Sequence, residues 1–242
     1  MYAVFKRELF SFLNSSMAYI TIGVFLLACA MLLWVFPDTS ILDYGYAELN
    51  GFFSLVPFLF MFLIPAITMR SFAEERREGT YVILATKPIT DTQIISAKFL
   101  ACVVLMLFAL LPTLIYYYTI YQLGLPKGNI DSGAVIGSYL GLFLLGIAFT
   151  SIGIFASSIT KNQVIAFAVA VFLCFFTFSG FESIGQLFEL QTLGVLLINL
   201  GINEHYQSIS RGVLDTRDLV YFISFALMFL GLTKLVIGGR KW

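Results

Sequence analysis

The sequence predicts an all-α integral membrane protein: six transmembrane helices, an interfacial amphipathic helix before them, and a cytoplasmic segment after the second span. Three observations predict it. Hydrophobic residues make up 60% of the 242 residues, against roughly 45–50% in an ordinary globular protein even with glycine counted. Charged residues make up 12%, against roughly 25%. Six charge-free runs divide the chain, and five of them are long enough to cross hydrocarbon, which takes roughly 20 residues for about 30 Å. With a mean hydropathy of +0.93, so small a chain has no soluble core able to hide its apolar surface. The bilayer is its solvent, and both disorder and a disulfide scaffold are excluded.

The elements follow in order. In residues 1–16, Phe5, Leu9, Phe12 and Leu13 fall on one helical face with Lys6, Arg7 and Glu8 between them, the pattern of a short helix lying in the interface. The first span covers 17–36. Lys6 and Arg7 could open a signal peptide, but the apolar run is about 20 residues where such regions have 7–15, so it reads as a retained helix. The second span, 51–69, contains Pro57 and Pro65, and the third, 99–121, contains Pro112. These prolines fit kinks near a pathway and plain packing equally well. The fourth span covers 134–157; Gly133, Gly137 and Gly141 recur there every four residues, a spacing that permits close helix contact. The fifth covers 164–182. The sixth covers 219–237, lengthened by Lys234 reaching to the interface, with Asp215 as its N-cap. Residues 185–217 form an outer segment. Its apolar stretch 190–203 is too short to span and reads as interfacial or re-entrant.

Between the second and third spans, residues 70–98 form a folded cytoplasmic elbow. Arg70 and Glu74 are an i,i+4 pair and Glu74 and Arg77 an i,i+3 pair, so a helix leaves the membrane here. Gly79 stops it. A short segment over Tyr81–Thr86 ends at Lys87 and Pro88. Thr90 and Gln93 then form a capping box, with Asp91 in the first turn of the third span.

Basic residues set the orientation. With the N-terminus cytoplasmic, only Lys127, Arg211 and Arg217 of the 14 Lys and Arg lie outside. Both termini are then cytoplasmic, in a multi-pass inner-membrane protein.

Chemistry-bearing patterns are sparse. Neither nucleotide-binding glycine motif is present. Cys29, Cys102 and Cys174 are far apart in apolar runs and His205 is the only histidine, so no metal or redox site forms and no catalytic role is assigned. His205 reads as a loop histidine without function. Glu182, near the outer end of the fifth span, reads as an interface residue rather than a proton site because Ser183 and Gly185 follow it.

Residues 72–80 (FAEERREGT) after the second span, 84–90 (LATKPIT), and 94–98 (IISAK) at the head of the third resemble the ABC-2 type transporter permeases. So do His205, Tyr206, residues 211–215 (RGVLD) and Asp218 before the last span. The likeness covers essentially the whole chain; in detail it is similar to the permease subunit of the gliding-motility ABC transporter of Bacteroidetes-type bacteria. The resemblance implies a six-helix ABC-2 permease bundle whose 70–98 loop is a coupling segment. Glu74, Glu75, Arg76, Arg77, Glu78, Gly79 and Thr80 would dock on a separate ATP-binding subunit. That subunit would hold ATP and magnesium, while this chain would carry no cofactor. A second permease chain, identical or related, would pair with this one in the lipid. A pathway for lipids, glycans, drugs or peptides would run between them, with Pro57, Pro65 and Glu182 as candidate pathway or interface residues. No nucleic acid is expected as a partner. The competing reading is a membrane scaffold or force-transmitting subunit that moves no solute.

Overall fold

The computed structural model describes residues 1–37, 39–41, 45–81, 88–188, 192–212 and 215–239. Leu84–Lys87 of the loop signature, most of the short segment expected over Tyr81–Thr86, and Val213 and Leu214 lie outside the described residues, as do Arg240 and Lys241. Every described element is helical.

α1 (Tyr2–Leu13) turns Val4, Glu8 and Phe12 inward, and α2 (Ser16–Trp34) follows after a short break. α3 (Asn50–Thr68) runs through Pro57 and Pro65 without interruption. α4 (Arg70–Arg77) continues it past Met69, and the chain turns at Gly79, whose φ of +72° is open to glycine at no steric cost. α5 (Asp91–Leu110) starts at the Thr90–Gln93 capping box. A 3₁₀ turn at Leu111–Thr113, centred on Pro112, separates α5 from α6 (Leu114–Leu123). Pro112 has no N–H for a helical ladder, so the break in the α-helix has a local cause.

α7 (Ser132–Ile159) is capped by the Asp131 carboxylate, which accepts from the Gly133 and Ala134 N–H groups. α8 (Gln163–Phe175) passes through a π turn (Phe176–Gly180) into α9 (Phe181–Gln186). α10 (Thr192–Leu200) folds back along α9, with α11 (Ile202–Ser210) after it. Gly185 and Gly194 permit that return, because a Cβ at Gly185 would meet Ile198 and one at Gly194 would meet the Phe188 carbonyl. α12 (Thr216–Gly238) starts at Asp215, whose carboxylate accepts from Arg217 N–H.

Six of these helical stretches are long and apolar enough to cross a membrane. α7 is their axis: α3, α4, α5, α8, α11 and α12 all pack on it. Small residues explain how they approach. Gly137 faces Gly212, Gly141 faces Ile209, Gly146 faces Met106, and a Cβ at Gly153 would overlap the Thr68 hydroxyl. The glycine repeat at 137 and 141 is thus filled by the chain's own residues 206–212. α1 and α4 lie at one end of the bundle, called the near end; α9, α10 and α11 lie at the far end.

Candidate functional sites: an ionic elbow and a far-end recess

The near-end site is built around Lys98. Its position on α5 is wholly enclosed, at 0% side-chain exposure, with Glu8 of α1 and Glu75 of α4 at 11% and 15%. A bare ammonium at such a position would be very costly, and three oxygens answer it. Lys98 Nζ lies 3.0 Å from Glu8 Oε1 and 3.0 Å from Glu75 Oε2, and donates to the Ser71 carbonyl at 2.7 Å. The ammonium also stands over the Phe72 ring, 5.1 Å from its centroid. The contact with Glu75 Oε2 is an ion pair off the hydrogen-bonding angle, leaving that oxygen without a hydrogen bond. Arg7 completes the group by donating to Glu8 Oε1 and Glu75 Oε1, both at 2.6 Å. Burial opposes the charge on Arg7, but the hydrogen bonds and charges of Glu8 and Glu75 outweigh it and hold the guanidinium above its ordinary value. Two cations and two carboxylates therefore balance where three helices meet.

A second set of bonds fixes the start of α4. The first N–H groups of a helix have no partner within it. Here the Ser157 hydroxyl of α7 accepts from Phe72 N–H at 3.0 Å and Ala73 N–H at 3.1 Å, and donates to the Met69 carbonyl at 2.9 Å. Arg70 grips both oxygens of Glu74, at 3.0 and 3.1 Å, and donates to Ser15 Oγ at 2.7 Å.

The segment from Glu74 to Thr80 is therefore not one uniform surface. Glu74 is held by Arg70 and Glu75 by Lys98 and Arg7. Arg76 donates to the Ser158 carbonyl and lies 5.8 Å from the Tyr81 ring centroid. Arg77 and Glu78 face outward with 60% and 53% side-chain exposure, followed by exposed Gly79 and Thr80. The expected Glu74–Arg77 pair does not form, because Arg70 already occupies both Glu74 oxygens. Arg77 instead stands 4.0 Å from Glu78.

The far-end site is a recess of about 740 Å³ walled by the starts of α3 and α7, the π turn with α9, and α11. Pro57 and Glu182 line it together with Phe53, Phe58, Phe178 and Tyr206. Pro65 does not; it is buried deeper in α3. Glu182 Oε2 accepts from Asn203 Nδ2 at 2.6 Å, and Tyr206 donates its hydroxyl to the Phe53 carbonyl at 2.6 Å. Burial pushes the Tyr206 phenol up, so it stays a donor.

His205 departs from its reading as a loop residue. It sits on α11, buried, with Nδ1 2.7 Å from Asp218 Oδ1 and Nε2 3.0 Å from the Asn199 carbonyl oxygen. Tyr221 stacks on the ring at 3.8 Å between centroids. The signal lay in α12. Asp218, Phe222, Ala226 and Phe229 share its buried stripe, and a carboxylate on such a stripe requires a partner.

Among the described residues no group of three or more His, Cys, Asp or Glu side chains is arranged to hold a metal ion. A search of curated proteins finds no match for this chain. Residues 30–237 match the family model described as ABC-2 family transporter protein. Six apolar helices with α7 at their centre, matched over most of the chain, place this protein in the ABC-2 transporter family.

Proposed function

We propose that this chain is the membrane-spanning permease subunit of an ATP-driven ABC-2 exporter, powered by a separate ATP-binding subunit that docks on residues 70–98. The observation that carries the proposal is the division within α4. Its inner side is fastened to α1, α5 and α7, while Arg77, Glu78, Gly79 and Thr80 stand exposed at its end. Adjacent exposed charges of both signs are suited to fixing the register of a partner. A fastened helix with a free end transfers a push to the bundle; a slack loop does not. Glu74, Glu75 and Arg76 serve as the mount and Arg77–Thr80 as the contact.

The excess of Lys and Arg at the near end makes that end cytoplasmic, in the inner membrane, with both termini inside. The chain contributes no catalytic group; ATP and magnesium belong to the partner. A second permease chain, identical or related, pairs with this one. A link to gliding motility rests on the sequence resemblance alone.

The test is a pull-down from native cells in mild detergent, with companions identified by mass spectrometry and ATP hydrolysis assayed. A stoichiometric P-loop ATPase, lost from the Arg77→Glu/Glu78→Lys variant while the bundle still elutes as a folded particle, is the expected result. A particle that holds other envelope proteins and no ATPase overturns the proposal in favour of the scaffold reading.

A further inference from the structure

The far-end recess is large enough for a ligand, and its walls differ from ordinary lipid-facing surface. Its volume of about 740 Å³ falls within the roughly 300–1,000 Å³ of small-molecule sites. One wall is aromatic: Phe53, Phe58, Phe178 and Tyr206. Phe178 and Ser179 reach the recess from the π turn, and Glu182 follows less than a turn later. An isolated π turn in a membrane helix re-aims side chains and is frequent at functional sites.

The charge of the lining has one dominant sign. Glu48, Asp131 and Glu182 line the recess, against Arg211 as the only basic residue among the described residues of its lining. Among the described residues no cation stands within ion-pairing distance of these three carboxylates. Asp131 is occupied in part by capping α7, and Glu48 accepts from Asn50. Glu182 is the least exposed of the three, half-buried, with Oε2 fixed by Asn203 at 2.6 Å and Oε1 3.5 Å from Gln186 Nε2. A carboxylate oriented in this way, at the edge of aromatic faces and with low-dielectric walls around it, attracts positive charge.

We infer that this recess binds a lipophilic organic cation, with its charged head at Glu182 and its apolar body against Phe53, Phe58, Phe178 and Tyr206. This deepens the exporter reading by assigning a substrate class to the far-end mouth of the pathway, and it rests on that reading for its transport meaning. The binding itself needs no ATP. Ring quadrupoles and a carboxylate both favour a diffuse cation and both reject an anion of equal size, so charge sign is the discriminating property.

The experiment measures equilibrium dialysis of radiolabelled tetraphenylphosphonium against the full chain in detergent, with empty micelles subtracted. Radiolabelled tetraphenylborate, of the same shape and opposite charge, is dialysed separately. The expected result is saturable binding of the phosphonium and none of the borate. Glu182→Gln, which keeps an acceptor for Asn203, weakens it roughly tenfold to a hundredfold, the factor for losing a charged partner. Glu182→Asp recovers most of it. Glu48→Gln, at the exposed rim, weakens it by roughly twofold to fivefold and guards against a folding defect at Glu182. Unchanged binding in Glu182→Gln, or saturable binding of tetraphenylborate as tight as that of tetraphenylphosphonium, overturns the inference. Co-purification of an ATPase is scored on the same preparation. An ATPase without phosphonium binding removes this substrate class and leaves the exporter; phosphonium binding without an ATPase supports the recess and removes the ATP-driven reading.

Discussion

Replacing Lys98 by methionine keeps most of the side-chain volume on α5 and deletes one charge from the elbow. At 3.0 Å from each of two carboxylates, the attraction at an effective dielectric of 20 is roughly 5 kcal/mol per pair before desolvation is counted. Desolvation of several kcal/mol per ion offsets most of it, so the intact group contributes little net stability. The variant is a different case. Glu8 and Glu75 would remain enclosed, with only Arg7, itself 51% exposed, to balance them, and the Ser71 carbonyl would lose its donor. Breaking a buried pair from one side costs about 3–5 kcal/mol, and Lys98→Met is expected in that range. Adding Glu8→Gln removes one of the stranded charges, so the double variant should be less destabilised than the two single losses summed, by about 1–3 kcal/mol. The assay is equilibrium unfolding in mixed micelles with increasing dodecyl sulfate, followed by far-UV circular dichroism, on wild type, both singles and the double. A Lys98→Met loss below about 1 kcal/mol, or strict additivity with Glu8→Gln, would refute the claim that these charges act as one buried unit.

Further outcomes follow from the same geometry. Ser157→Ala strips the acceptor from the Phe72 and Ala73 N–H groups and should cost about 1–3 kcal/mol in the same titration, with faster hydrogen exchange confined to the start of α4. Gly153→Ala drives a Cβ into Thr68; overpacking of about 1–3 kcal/mol is expected, with partial recovery in the Thr68→Ala background. At the far end, His205→Ala leaves the Asp218 carboxylate buried without its partner and should cost more than Asp218→Asn, which keeps an acceptor oxygen; equal losses in the unfolding titration would count against a charge-bearing contact.

Local features were legible because their causes are local. The six spans stand out since about 30 Å of hydrocarbon forbids charge over a fixed length. Gly79, the Thr90–Gln93 box and Asp215 could be placed because an orphan backbone group calls for a particular neighbour within four residues. What escaped was pairing across long separations. Arg70 with Glu74 was readable at i,i+4, but Lys98 with Glu8, 90 residues apart, was not. Lys98 reads in sequence as an inner-interface cation, since nothing local says that two acids from α1 and α4 will surround it. Burial within the charged run escaped for the same reason: charge density over Glu74–Glu78 looks like exposure, whereas Lys98, Arg7, Arg70 and the Ser158 carbonyl draw Glu74, Glu75 and Arg76 inward. The recess was half visible, with Pro57 and Glu182 in its wall and Pro65 outside it, because membership of a cavity depends on how α3, α7 and α11 meet.

The two ends are joined by stiff connections. α3 and α4 together span 28 residues from Asn50 to Arg77, about 42 Å of helix, with Phe53 and Pro57 in the recess wall and Arg77 at the exposed near end. Their junction at Met69 is a natural place for a hinge to absorb displacement. It is closed to that use: the Ser157 hydroxyl bonds the Met69 carbonyl and the next free N–H groups, and Arg70 is tied to Ser15. One turn away, Gly153 and Thr68 are packed too closely for sliding to occur without strain. At the other end, Tyr206 bonds the Phe53 carbonyl and Ile209 fills the space over Gly141, so α11 is held to both α3 and α7. A displacement imposed at Arg77 is therefore carried by α3, α4 and α7 as one body that includes the recess wall. α2 stands at the margin of that body, with 17% of its apolar window buried against 61% for α3 with α4 and 78% for α7, so most of its apolar surface faces outward from the bundle rather than onto the helices that tie the elbow to the recess.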